Sequence, residues 1–170
     1  RELEGDWYCM MGRNGSQYFH WFWDELPRLY SALRHLPQGT RFLIDANIYD
    51  YQRDSLKALG VFPELCLPQN CHTESKVERL WFPTPSGHSE QAAVSPVIAK
   101  GLRKALVGKL GNHNDKTNRR VFISRASARF RKLINEKELT DHIETLGFEI
   151  VQAENLSFAQ QVELFSGCSI

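Results

Sequence analysis

His20 and Asp24 stand four residues apart in the stretch SQYFHWFWDELPRLY, Ser16 to Tyr30. On a helix that spacing puts the two side chains on one flank. An imidazole beside a carboxylate can hold it while it accepts a proton from a substrate hydroxyl, which makes Asp24 a candidate general base and His20 its orienting neighbour. The same pair also fits an ordinary solvated helix face. Pro27 lacks an amide hydrogen, so it is expected to kink this helix or to begin a second one just after Asp24.

A second constellation lies in KTNRRVFISRASARFRKLINEKEL. Seven basic residues and no acid fall between Lys116 and Lys132, in a chain whose formal charge is only +1. Ser124 and Arg125 follow a predicted strand, at the end where open α/β sheets bind their ligands. Arg129 and Arg131 come next, and Asn135 opens a predicted helix whose N-terminus favours an anion. Guanidinium forks match phosphate oxygens, so a diphosphate suits this group. A solvated basic surface is the plainer alternative.

The elements that must carry these groups alternate between strand and helix, which argues for an α/β fold with mostly parallel sheets. The segment RFLID, Arg41 to Asp45, reads as a strand. Asp50 is placed to cap the following helix, and Gly60 to end it. RLWFP, Arg79 to Pro83, is a weaker strand, and the residues from Pro83 to Pro96 read as a loop. A helix begins with Ser95 as its cap and Pro96 at its first position. Residues 108–118 are rich in breakers, and 111–118 is the expected linker between a domain over 1–110 and another over 119–170. In the second domain, RVFIS and FEIV are strands. Asn135 with Glu138, and Ser157 with Gln160, are predicted capping boxes, and Gly147 ends the intervening helix. CSI reads as the start of a third strand. In the opening helix, Phe19, Phe22, Trp23, Leu26, Leu29, Tyr30 and Leu33 form one wide stripe for a core, with Trp21 near the His20 and Asp24 flank.

Composition bounds the rest. The 170 residues suffice for one domain or two small ones, and 42% hydrophobic with 24% charged residues is ordinary for a globular protein. No apolar run approaches the length needed to span a bilayer. Cys9, Cys66, Cys71 and Cys168 form no close-spaced pair and read as reduced thiols. Cys66, Cys71 and His72 lack the spacing of a zinc knuckle, and there is no phosphate-binding GxxxxGK or GxGxxG segment, so neither a metal nor a nicotinamide cofactor is expected.

The segments YFHWFWDELPRL and VFISRASARFRKLINEKELTDHIETLGFEIVQAENLSFAQQVELFSGC resemble glycosyltransferase family 61, as does YQRDSLKALGV, and the resemblance covers nearly the whole chain. It implies two Rossmann-like units in a GT-B arrangement: an acceptor-side N-terminal domain and a nucleotide-sugar-binding C-terminal domain. It further implies inverting, metal-independent transfer from a nucleotide sugar, commonly a UDP sugar, to a glycan or polysaccharide acceptor. Asp24 aligns with the acid of the family's His-x-x-x-Asp pattern and His20 with its histidine. Ser124, Arg125, Arg129, Arg131 and Asn135 fall on the donor side, with Arg125 and Arg129 expected to meet the leaving diphosphate. The family pattern continues beyond a GCSI-like strand into a His-Gly-Ala-Gly-Leu-Thr-Asn loop, so the second unit is expected to be incomplete in these 170 residues. A cytoplasmic bacterial polysaccharide enzyme is expected, because no glycosylation sequon stands in a convincing surface loop: the obvious match, Asn155-Leu-Ser157, overlaps a helix cap; a Golgi lumen is the alternative. The rival from another class is a non-catalytic module that binds nucleic acid or another polyanion through Lys116 to Lys132. Only Phe122 and Phe130 interleave those charges, which is sparse for base stacking, and no nucleic-acid partner is expected.

Overall fold

A computed structural model describes residues 1–12, 15–70, 72–83, 94–111 and 118–168. The chain divides into two compact units, Arg1–Leu106 and Val107–Ile170. Residues 112–117 of the expected linker, and most of the predicted loop before Pro96, lie outside the described residues.

The first unit holds a four-stranded sheet in the order β3-β2-β1-β4. Its strands are β1 (Glu2–Cys9), β2 (Arg41–Asp45), β3 (Cys66–Gln69) and β4 (Lys76–Trp81). Every pairing in it is parallel. This is the order of the first four strands in the doubly wound Rossmann pattern, where ligands collect beyond the carboxyl ends of the strands. β1 and β3 were not expected. β1 carries Glu2, Glu4 and Asp6, which obscure its pattern, but Asp6 is partnered across the sheet. Its carboxylate accepts from Arg79 Nε at 2.9 Å and from Trp81 Nε1 at 2.9 Å, both on β4. β1 also slips register against β4 between Leu3 and Asp6, at Gly5 with φ 83°. A glycine takes that bulge without a Cβ penalty. Trp7, Tyr8, Phe42, Leu43 and Ile44 are buried and form the sheet's share of the core.

The helical segment after β1 departs from a regular α-helix. α1 (Tyr18–His20) runs into a π turn (Trp21–Glu25) and then into α2 (Leu26–Ala32). Leu26 N–H donates to Trp21 O, a five-residue span, with Pro27 directly behind it. The wider turn rotates the residues before it relative to a continuous α-helix. The expected stripe is corrected accordingly: Trp21 is only 2% exposed, whereas Trp23 is 38% and Phe19 57% exposed. Leu26 and Leu29 are fully buried, as the stripe required.

α3 (Asp50–Ala58) follows β2. Asp50 is its first residue and not its cap; Tyr49 stands at the N-cap, where its N–H donates to Gln52 Oε1 at 2.8 Å. Gly60, φ 84°, closes the helix as expected. α4 (Pro96–Leu110) begins at the expected proline.

In the second unit β5 (Arg120–Ile123) and β6 (Phe148–Val151) pair in parallel, with α5 (Glu136–Glu144) between them and α6 (Phe158–Ser166) after them. The Ser157 and Gln160 capping box forms: Ser157 N–H donates to Gln160 Oε1 at 2.8 Å, and Gln160 N–H to Ser157 Oγ at 3.3 Å. The Asn135 and Glu138 box does not, since Asn135 makes no side-chain cap bond. Of the expected third strand, Cys168 forms a single parallel bridge with Arg119; Ser169 and Ile170 lie outside the described residues. The architecture is thus α/β with parallel sheets in both units. Among the described residues no helix is long and apolar enough to cross a membrane.

Candidate active site

In the first unit α3 fixes the start of the helix that carries His20. Gln52 is buried, and its Nε2 donates to Gly15 O at 3.0 Å. Tyr51 Oη donates to Ser16 O at 3.0 Å. Trp21 Nε1 donates to Ser55 Oγ at 2.9 Å, and that hydroxyl donates to Gln52 O at 2.9 Å. With Trp21 pinned inward, the opposite side of the same turn faces solvent. There His20 Nδ1 meets Asp24 Oδ2 at 2.7 Å, with side chains 32% and 50% exposed. The expected i, i+4 contact is made. The pair follows the connection from the carboxyl end of β1, the region where open α/β sheets place ligands.

Beneath it sits a pair that sequence reasoning missed. Glu25 is buried and ion-paired with Arg28, whose Nε also donates to Asp24 O at 3.2 Å. Burial pushes the Glu25 carboxyl up from its ordinary value, and the Arg28 guanidinium opposes that shift. A Cβ on Gly12 would stand 1.8 Å from Glu25 Oε1, so any side chain there would have to displace this carboxylate from its place beside Arg28. The i, i+3 spacing of Glu25 and Arg28 was the available signal, but it suits a solvated face equally well.

In the second unit Ser124 N–H donates to Val151 O at 2.8 Å, extending the β5 and β6 ladder by one bond. The chain then turns around one carboxylate. Glu136 Oε1 accepts from Ser124 Oγ, from Arg125 N–H at 2.7 Å and from Ala126 N–H at 3.1 Å. These bonds, the Ser124 hydroxyl first, hold the buried Glu136 carboxyl below its ordinary range. The anion favoured near the start of α5 is therefore supplied by the protein itself, and the two backbone amides of this turn are occupied. Glu136 Oε2 is buried and has no hydrogen-bond partner among the described residues. Spacing gave no warning of this clasp, because Ser124 and Glu136 are twelve residues apart.

The expected cationic group divides by task. Arg125 shapes the loop: its Nε donates to Arg131 O at 3.0 Å and its Nη2 to Phe130 O at 2.9 Å. Arg129 places its guanidinium 5.2 Å from the Phe130 ring centroid. Arg131 is the one described non-glycine residue with a left-handed backbone, φ 57°. Arg129, Arg131 and Asn135 are exposed and Ser124 is buried. Outside this loop, Arg119 makes a two-point contact with Glu149, and Arg120 Nη1 donates to Leu146 O at 3.1 Å. Among the described residues no three of His, Cys, Asp and Glu gather as a metal-binding set.

These two arrangements can hold a proton acceptor against a substrate hydroxyl and gather positive charge beside a tight turn. No curated protein and no solved structure matches the chain. The family described as Glycosyltransferase 61 matches residues 18–170, a span that includes the His20 and Asp24 helix and the whole Ser124 to Glu136 clasp. On that match, the chain belongs to glycosyltransferase family 61.

Proposed function

We propose that this protein transfers a sugar from a nucleotide-sugar donor, a UDP sugar in the first instance, to a hydroxyl of a glycan acceptor, with inversion and without a metal. The observation that carries this reading is the His20 and Asp24 contact of 2.7 Å on a solvent-facing helix turn, within the matched family span. His20 Nδ1–H holds Asp24 Oδ2, leaving Oδ1 to take the acceptor proton. The deprotonated oxygen attacks the anomeric carbon as the bond to the diphosphate oxygen breaks, and the diphosphate departs with the electron pair. A single displacement of this kind inverts the centre.

On the donor side, Arg129 and Arg131 meet the negative charge, and Arg125 holds the loop that presents them. Ser124 and Asn135 flank that loop. Because Glu136 fills the turn's amides, side-chain cations are the groups left to stabilise the leaving diphosphate. The two units thus divide the work, acceptor groups in the first and donor groups in the second, as a GT-B enzyme does.

The polyanion-binding alternative draws less support. Arg119, Arg120 and Arg125 are engaged within the second unit, which breaks up the strip that a backbone-tracking surface would need.

The test pairs binding with turnover. Calorimetric titration with UDP should give saturable binding that Arg129→Ala weakens and that Asp24→Asn leaves near normal. Transfer by Asp24→Asn should fall by about 10²-fold or more. Full transfer by Asp24→Asn would remove the proposed base. Equal UDP affinity in Arg129→Ala and the parent would remove the proposed donor site.

A further inference from the structure

The π turn leaves two large rings exposed beside the proposed base. Phe19 and Trp23 are 57% and 38% exposed, with ring planes within 18° of each other and centroids 5.8 Å apart. At that separation the rings are displaced sideways as much as stacked, and both keep part of their surface exposed. Phe19 also meets the His20 ring edge-on, with centroids 5.4 Å apart, and His20 holds Asp24. An apolar floor and a hydrogen-bond-accepting carboxylate therefore share one helix turn.

We infer that Phe19 and Trp23 form a stacking subsite for a sugar ring of the acceptor, placing one of its hydroxyls at Asp24. This rests on the transferase reading above. A pyranose has the matching two-sided chemistry: axial C–H groups make one face weakly apolar, and hydroxyls along the rim donate hydrogen bonds. Seating the apolar face on the rings brings rim hydroxyls to the height of the neighbouring carboxylate. An apolar protein surface wide enough to cover both rings would desolvate Asp24 Oδ1, the oxygen that His20 does not hold, without supplying it a donor. A carbohydrate supplies that donor.

The same exposure elsewhere does not carry this meaning. Tyr49 is 56% exposed and stacks on Tyr51, with centroids 5.6 Å apart, but neither residue belongs to the turn that holds Asp24. It serves as the control.

The experiment is saturation-transfer NMR on the full 170-residue chain, with tryptophan fluorescence in parallel. The probes are methyl β-xyloside, methyl β-glucoside and methyl β-N-acetylglucosaminide, together with the corresponding β-1,4-linked hexasaccharides. Stacking tolerates changes in hydroxyl pattern, so at least one probe should receive saturation through its C–H protons and shift the tryptophan emission. Phe19→Ala and Trp23→Ala should each weaken binding about 3- to 10-fold. Trp23→Phe should recover most of the loss, and Tyr49→Ala should change nothing. UDP binding should be unaffected in all four variants. Absence of saturation transfer to every probe overturns the subsite, as does parent-like binding by both alanine variants or an equal loss in Tyr49→Ala. Parent-like glycan binding in those variants, with transfer still abolished by Asp24→Asn, would remove the subsite and leave the transferase reading standing. Full transfer by Asp24→Asn, with stacking lost in the alanine variants, would do the reverse.

Discussion

Glu136 shows what one carboxylate does for a turn. Three donors converge on its Oε1, and the second oxygen is buried without a hydrogen-bond partner among the described residues. Its charge is therefore part of the clasp, because a charged acceptor binds donors more strongly than a neutral one. Glu136→Gln keeps the shape and removes the charge, so its melting temperature should fall below that of the parent at neutral pH, with UDP affinity falling alongside. An unchanged melting temperature would mean that the amides hold the turn without the charge. Arg131 poses the opposite question. A left-handed backbone costs a non-glycine residue roughly 1–2 kcal/mol, whereas glycine adopts it freely but adds entropy to the unfolded chain. The two effects oppose each other in Arg131→Gly, so its stability should stay within about 1 kcal/mol of the parent. Its UDP affinity should nevertheless drop, because the guanidinium is gone. Parent-like affinity would assign Arg131 to backbone shape alone.

The helix from Tyr18 to Ala32 makes its prediction through two tryptophans two residues apart. Trp21 is buried and bonded to Ser55, so Trp21→Ala should cost about 3–5 kcal/mol in denaturant unfolding. Trp23→Ala should cost clearly less, about 0.5–1.5 kcal/mol for the loss of its stacking on Phe19. Comparable losses in the two variants would contradict the rotation imposed by the π turn. The same helix marks how far the sequence could be read. Local signals transferred well: Arg41–Asp45 as a strand, Gly60 and Gly147 at helix ends, and the Ser157 and Gln160 box all depend on residues within a few positions of one another. The i, i+4 contact of His20 with Asp24 was legible for the same reason. The facing of Trp21 was not, because it depends on a five-residue hydrogen-bond span and on α3 from a later part of the chain. β3 was hidden by Pro68, which lacks the amide a strand ladder uses, and the Glu136 clasp by its distance along the sequence.

Among the described residues of both units, hydrogen-bonded carboxylates set the response to acid. Asp6 is held below its ordinary 3.8 by Arg79 and Trp81. Glu136, Glu149 and Glu154 are held below 4.5 by Ser124, Arg119 and Ser127 respectively. A carboxyl with a lower pKa in the fold binds protons more readily when unfolded. Its contribution is complete above the unfolded value and is lost as pH falls through the folded one. Glu25 acts in the other sense, since burial raises its pKa and protonation relieves its desolvation. With four groups against one, the melting temperature should hold near neutral pH and decline once pH drops below about 4.5. A melting temperature that rises on acidification through that window would show that Glu25 outweighs the other four.

The π turn between Trp21 and Glu25 has a further consequence, for chain length in place of side-chain identity. A turn closed by a five-residue hydrogen bond holds one residue more than the regular helix that could replace it. Deleting Phe22 would let the backbone close as an ordinary α-helix while the residues before it keep nearly their present facing relative to α2, because the wider turn carries its extra residue through about the same rotation. Tyr18 to His20 would keep their present neighbours, and His20 would stand three residues from Asp24, still on one flank of the helix. A length change of one residue is thus absorbed at this turn, whereas the same change inside α2 would turn everything before it by about 100°.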